Sequence, residues 1–384
     1  MTLFDVYPRY DVELIRGEDV WVWDAAGRRY LDCYGGHAVI SIGHAHPHFT
    51  RRVTEQLTRL PFYSNAFVNS LQVEYAEKFG AVCGYPDHQL FLCNSGAEAN
   101  ENALKLASFH TGRAKVLAFS GAFHGRTSGA VSITDNPSIR APFNQGHDVV
   151  FVPLNDAKAM REAFARHAFA AAIIEGIQGV AGIKGVESEY LTELRALCTE
   201  HQALLILDEV QSGFGRSGHF FAHQNTGVAA DIITIAKGMG NGFPVAGVLI
   251  DPRIASSHGL LGTTFGGGQL ACAAALAVIE VLHAQSLQNN AAEVGASLMR
   301  ALAEVPGVSE VRGRGLMIGF DSEVPAKILR ALLLHDYGII TGGGGGSTTV
   351  RLLPPLTFSM QQAETLTTAV DAALRQLQAQ GTTV

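Results

Sequence analysis

Two stretches decide the fold: Ala203-Leu204-Leu205-Ile206-Leu207-Asp208-Glu209-Val210-Gln211 and Asp231-Ile232-Ile233-Thr234-Ile235-Ala236-Lys237-Gly238. Leu204–Leu207 is a continuous apolar run, which reads as a strand buried on both faces. A carboxylate, Asp208, follows at its C-terminal end. The run ending at Ile235 has the same design, with Lys237 just beyond it. In open α/β sheets, ligands bind beyond the carboxyl ends of the strands. An acid and a lysine at two such ends, with Gly238 beside the lysine, are therefore placed for one ligand.

The chemistry that wants this pair is that of pyridoxal 5'-phosphate (PLP). A lysine forms a Schiff base with the aldehyde, and a carboxylate partners the pyridinium nitrogen. Two other segments suit the same cofactor. Asn94-Ser95-Gly96-Ala97-Glu98-Ala99-Asn100 lies between a strand ending at Cys93 and a helix. Small residues at a helix start leave the backbone N–H groups around Ser95, Gly96 and Ala97 open for a phosphate. The same segment also reads as an ordinary N-cap by Ser95. Gly121-Ala122-Phe123-His124-Gly125-Arg126-Thr127 offers an aromatic face for stacking and an arginine for a carboxylate.

Outward from these stretches the pattern repeats. Short β-branched runs at 89–93, 115–119, 149–152, 171–174, 203–207, 232–235 and 246–250 alternate with helical segments at 71–80, 97–110 and 191–201. Seven such runs predict a large α/β domain, residues 49–269, with a mostly parallel seven-stranded sheet. A long Ala-rich helix begins near Leu270. Strand–helix–strand material follows, with a terminal helix at 360–379, and predicts a small α+β domain over 270–384. Residues 1–48 form an N-terminal segment whose runs at 19–23 and 29–32 suggest a hairpin packed with that small domain. Gly342–Gly346 reads as a flexible loop.

Composition narrows the function. The 384 residues carry 28 Lys plus Arg against 35 Asp plus Glu, a net charge of −7. Such an acidic chain lacks the basic stripe that nucleic acid requires. The apolar share of 47% against 16% charged excludes disorder and suggests surface covered by another subunit. No apolar stretch approaches the roughly 20 residues of a bilayer span, and the first 17 residues lack a signal-peptide core, so no membrane role is expected. Five cysteines without a CxxC pair read as reduced thiols, and the expected localisation is cytoplasmic.

The segments SGAEAN (95–100), AFHGRT (122–127), LDEVQSGFGRSG (207–218), TIAKGMGNGFP (234–244), TTFGGGQLA (263–271) and RGRGLMIGF (312–320) together resemble the class III PLP-dependent aminotransferases. The resemblance runs from VWVWDAAGRRYLD near the N-terminus to VRLLPPL at 350–356. It implies the PLP-dependent transferase fold type I. Within the class the acylornithine branch is most similar. That implies transfer of the terminal amino group of N-acetylornithine or N-succinylornithine to 2-oxoglutarate, giving the semialdehyde and glutamate, in arginine metabolism. The alternatives are another ω-aminotransferase acting on ornithine or 4-aminobutyrate, or a non-catalytic relative. The resemblance implies Lys237 as Schiff-base lysine and Asp208 as partner of the pyridine nitrogen. It implies Gln211 at the ring hydroxyl, Ser95, Gly96 and Ala97 at the phosphate, Phe123 stacked on the ring and Glu175 supporting the pocket. Arg126 would hold the donor's α-carboxylate and Arg351 that of glutamate or 2-oxoglutarate. Thr264 would reach the phosphate of a partner subunit in a homodimer.

Three departures from the family pattern stand out. EGIQGVAG (175–182) replaces EPIQGEGG, so Gly176 stands for a proline and Val180 for a glutamate. GGGQLA (266–271) replaces GGNPLA. The missing glutamate predicts that Arg351 lacks its usual partner. His44, His46 and His48 alternate in a loop without a metal-site pattern, so no metal is expected.

Overall fold

All seven apolar runs become strands of one sheet in the computed structural model, which describes residues 1–381. In chain order they are β1 (Gln89–Cys93), β2 (Val116–Phe119), β3 (Val149–Val152), β4 (Ala171–Glu175), β5 (Leu204–Asp208), β6 (Ile232–Ile235) and β7 (Ala246–Ile250). Across the sheet the order is β1-β7-β6-β5-β4-β2-β3. Only β7 is antiparallel to its neighbours. The sheet is thus the mostly parallel one expected.

Alternation within the runs explains why both faces are covered. Leu205, Leu207, Ala172, Ile174, Ile233 and Ile235 belong to one apolar core. Their neighbours Leu204, Ile206, Ala171, Ile173 and Ile232 belong to a second. Successive strand side chains point to opposite faces, so continuous apolar runs supply both cores at once. Each buried Leu or Ile contributes about 1.5–3 kcal/mol of transfer free energy.

The strand ends set the site. β5 and β4 are parallel, with Asp208 opposite Glu175. β5 and β6 are parallel, with Asp208 opposite Thr234, three residues before Lys237. The acid, the lysine and a second acid therefore emerge at one edge of the sheet.

The remaining elements differ more from expectation. The N-terminal hairpin forms from Trp21–Asp24 and Arg29–Asp32, but Leu14–Glu18 adds an outer strand and Ile339–Ile340 pairs in parallel on the inner side. The Ala-rich helix ends at Ala284, and a second helix, Leu287–Ala303, follows a left-handed Ser286. A further sheet runs Val308–Arg314, Met317–Ser322, Thr349–Leu352, Gly342–Gly343. The glycine run is thus not simply a loop: Gly342 and Gly343 pair with Arg351 and Val350. A Cβ at Gly345 would lie 2.3 Å from the Ala181 carbonyl, so the strap closes on its neighbour at a position only glycine can take. Among the described residues, no single helix is long and apolar enough to cross a membrane.

Candidate active site

The carboxyl edge of the sheet opens into a cavity of about 410 Å³. Its lining gathers Ser95, Gly96, Ala97, Phe123, Arg126, Glu175, Asp208, Gln211 and Lys237 from five strand ends. Thr264 is exposed and Arg351 buried, and neither lines this cavity.

Asp208 is held by its surroundings. Its Oδ2 accepts from Asn100 Nδ2 at 2.8 Å and pairs with His124 Nδ1 at 2.7 Å. Its Oδ1 accepts from the Val210 N–H at 2.9 Å. A carboxylate offers about four lone-pair sites. Three are filled, and one remains on an oxygen of a cavity-lining residue. Glu175 is equally committed: Oε1 accepts from the Phe123 N–H at 3.0 Å and Oε2 from the Gly179 N–H at 3.2 Å. This ties the Phe123 loop to β4. Burial, with Asp208 nearby, pushes the Glu175 carboxyl up to about 7 against the pull of His124.

Lys237 sits on a short turn with φ of 46°, a region that side chains seldom occupy. The turn is braced from the N-terminal segment. Ser41 Oγ donates to the Gly238 carbonyl at 2.7 Å, and Asn241 Oδ1 accepts from the Ser41 and Ile42 N–H groups. Burial lowers the Lys237 amine, an effect Arg351 reinforces and Asp208 and Glu175 oppose. A lowered amine is available as the neutral nucleophile that Schiff-base chemistry needs.

The helix Gly96–Thr111 points its N-terminus at the same cavity. Ser95 Oγ caps it by accepting from the Glu98 N–H at 3.2 Å. Among the described residues the Gly96 and Ala97 N–H groups find no acceptor, as expected for the first helical turn. Two glycines let the backbone close in. A Cβ at Gly96 would lie 2.6 Å from Val210 Cγ1, and one at Gly125, whose φ is 136°, would lie 2.6 Å from Ala97 Cβ.

Residues 6–374 match the class III aminotransferase family. The chain belongs to that family. It is 38% identical to the acetylornithine aminotransferase of Methanosarcina acetivorans, over 97% of this chain and 94% of that protein. It is 40% identical to that of Methanopyrus kandleri, over 97% and 96%. The ornithine aminotransferase of Toxoplasma gondii superposes with a TM-score of 0.91 at 27% identity, covering 97% of this chain and 92% of that one. The acetylornithine aminotransferase of Elizabethkingia anophelis gives 0.84 at 29%, covering 96% and 95%. Like its class, this aminotransferase is PLP-dependent. The residues present fit that cofactor: the open lone pair of Asp208 suits a pyridinium N–H, and the free N–H groups of Gly96 and Ala97 suit a phosphate. Gln211 adds a buried Oε1 without a partner, among the described residues, in the cavity lining.

The two candidate substrate arginines, Arg351 and Arg126, have different surroundings. Arg351 has no carboxylate partner among the described residues, yet it is not bare. Its Nε donates to the Gly343 carbonyl at 2.7 Å, Nη1 to the Gly179 carbonyl at 3.0 Å and Nη2 to Tyr34 Oη at 3.3 Å. All three acceptors are neutral oxygens. Arg126 is exposed at the cavity and makes no ion pair among the described residues. The three histidines of the 44–48 loop do not converge: His44 pairs with Asp32, His48 with Glu280 and His46 with Gln285. Asn100 and His124 were given no role from sequence, though both stand inside motifs that pointed to the site. Polar neighbours such as Glu98, Glu101 and Arg126 left neither of them distinct in the sequence.

Proposed function

We propose that this aminotransferase moves the terminal amino group of an N-acylornithine, acetyl or succinyl, to 2-oxoglutarate. The products are the semialdehyde and glutamate, the setting is arginine metabolism, and the active unit is a cytoplasmic homodimer. One observation carries the choice of donor. Among the described residues the acids lining the cavity are Glu175 and Asp208, and both are already bonded to internal donors. The α-ammonium of free ornithine would find no uncommitted acid there, and a cation drawn from water without a partner is costly. An acylated α-nitrogen is neutral and avoids that cost. The resemblance to acetylornithine aminotransferases supports the same reading.

PLP, when bound, withdraws electrons from the carbon that bears the transferred nitrogen. Asp208 keeps a proton on the pyridine nitrogen, and His124 and Asn100 fix the carboxylate that does so. Gly96 and Ala97 hold the phosphate through backbone N–H groups and the helix dipole, with Ser95 capping that turn. Thr264 of the second subunit completes the phosphate site. Phe123 covers one ring face, Gln211 meets the ring hydroxyl, and Glu175 keeps the Phe123 loop in place. Lys237 carries the proton between the substrate carbon and the cofactor. Arg126 orients the donor by its α-carboxylate, and Arg351 orients the oxo acid.

A donor panel tests the reading. With 2-oxoglutarate as acceptor, kcat/KM for N-acetylornithine or N-succinylornithine exceeds that for ornithine and 4-aminobutyrate by at least about tenfold, equivalent to 1.4 kcal/mol. Equal turnover of free ornithine would refute it. Sedimentation at assay concentration shows a dimer, and an active monomer would contradict the role of Thr264.

A further inference from the structure

The turn Gly35–Ala38 is strained and is used by none of the steps above. Four successive residues take left-handed backbone, Gly35 at φ 55°, Gly36 at 54°, His37 at 70° and Ala38 at 65°. Two of them carry side chains, which rarely adopt that region. The surroundings enforce it. Asp32 Oδ1 accepts from the Tyr34 N–H at 2.9 Å and the Gly35 N–H at 2.8 Å. Gln211 Nε2 donates to the His37 carbonyl at 3.2 Å. Strain held in this way concentrates at functional sites.

The side chains of this turn lead to Arg351. Tyr34 Oη accepts from Arg351 Nη2 and lies 2.5 Å from His37 Nδ1. Arginine only donates, so the Tyr34 proton is free to point at the imidazole. His37 Nδ1 is then an acceptor, and the ring is neutral with its proton on Nε2. Burial and the charges of Arg351 and Lys237 hold this histidine below its ordinary pKa, which agrees with a neutral ring. His37 is an exposed residue, and its Nε2 has no protein partner among the described residues. Arg351 is similarly half-spent. Three of its five N–H groups are engaged, and one hydrogen is left on each Nη.

We propose that Arg351, Tyr34 and His37 form one carboxylate seat, with the His37 Nε2–H as a neutral third donor that makes His37 a specificity-determining residue for the dicarboxylate substrate. The proposal rests on the reading that 2-oxoglutarate is the amino acceptor. A neutral donor suits this place. It adds a directional hydrogen bond to the carboxylate without adding another cation beside Arg351. Tyr34 links the two donors, so both orient together.

Half-reaction kinetics on the holoenzyme test it. His37→Leu raises the KM for 2-oxoglutarate about fivefold with kcat changed less than twofold, and Tyr34→Phe acts in the same direction. The double variant is no worse than His37→Leu alone, because the two residues act in one chain. His37→Asn, which tolerates left-handed backbone and keeps an amide donor, recovers most of the affinity. Calorimetric titration with glutarate, an unreactive dicarboxylate, shows the same order without turnover. An unchanged glutarate affinity and 2-oxoglutarate KM in His37→Leu would overturn the proposal. Equal loss in the amine-donor and 2-oxoglutarate half-reactions would also overturn it, since that marks collapse of the turn. Failure of wild type to use N-acylornithine in the donor panel would overturn the donor reading alone, because glutarate binding does not involve the donor.

Discussion

The two ends of the site are built on opposite principles. At the cofactor end, Asp208 and Glu175 project from adjacent parallel strands and accept five hydrogen bonds from groups of this chain. The groups left open there, one lone pair of Asp208, the Gly96 and Ala97 N–H groups and Gln211 Oε1, are fixed in place by that framework. At the substrate end, Arg126 is exposed without an ion partner, and Arg351 leans on two carbonyls and a phenol. Its donors are only partly used. The contrast follows from what each end must do. A resident cofactor needs fixed electrostatics, which a rigid sheet edge supplies. Two different substrates must exchange in one seat, and that needs donors free to be taken and released. Substitutions at the first end should therefore damage chemistry, and substitutions at the second should change selectivity.

The largest effect belongs to Lys237. Lys237→Ala removes the group proposed to move the proton, so kcat is expected to fall by at least about a thousandfold, within the range for a positioned acid–base group. Borohydride treatment of wild type followed by peptide mapping recovers the pyridoxyl label on Lys237, and a label on another lysine would place the chemistry elsewhere. Asp208→Asn comes next. The amide cannot hold the pyridine proton, and kcat falls by at least about a hundredfold. A near-normal rate in that variant would erase the distinction between the two ends.

Sequence legibility divides along the same line. The seven strands were readable because each is a short, mostly apolar run, and Asp208 and Lys237 because each lies just beyond such a run. Arg351 was nameable, but its present partners were not. Two of them, the Gly179 and Gly343 carbonyls, are backbone atoms that no side-chain pattern encodes. The same blindness affected Gly342–Gly346. Glycine reads as freedom, whereas here Gly342 and Gly343 continue a sheet and Gly344 has no room for a Cβ, which would lie 2.9 Å from the Val180 carbonyl. Leu14–Glu18 escaped notice because most of its residues are exposed, leaving no apolar face to mark a strand. The left-handed turn at 35–38 depends on Asp32 and Gln211, the latter distant in sequence, and its two glycines hint at it without specifying it.

A pH experiment sharpens the picture of the cofactor end. Glu175 titrates near 4.5 when unfolded and is pushed up to about 7 by burial in the native chain. Between those values the native state holds a proton that the unfolded state has lost. Stability from this group is therefore present below about pH 4.5 and is lost as pH rises through 7. The total is on the order of 3 kcal/mol. Glu175→Gln carries no such titration, so the melting temperature of its cofactor-free form gains on wild type between pH 5 and pH 8. Parallel curves for the two proteins would mean that Glu175 is ionised throughout this range.

The smallest effect tests the substrate end. Val180 follows Gly179, whose carbonyl accepts from Arg351 Nη1 at 3.0 Å. Its side chain is 41% exposed, so a longer residue can be accommodated. Val180→Glu introduces a carboxylate beside an arginine whose acceptors are all neutral. An ion pair to Arg351 is stronger than its bonds to carbonyls, so the new carboxylate competes with the oxo acid for the free Nη hydrogens. The KM for 2-oxoglutarate should rise roughly tenfold, the scale of losing a charge-assisted contact of about 1.5–3 kcal/mol. The N-acylornithine half-reaction should change less, since the seat proposed for its carboxylate is Arg126. The strap limits the alternatives. Gly344 and Gly345 pack against residues 180–182, so the introduced side chain must turn either toward Arg351 or out to solvent. Separate half-reactions distinguish these. A raised acceptor KM with an intact donor half-reaction means that the glutamate has claimed Arg351. An unchanged acceptor KM means that residue 180 points to solvent and that the neutral cage of Gly179, Gly343 and Tyr34 sets the selectivity of this end without it.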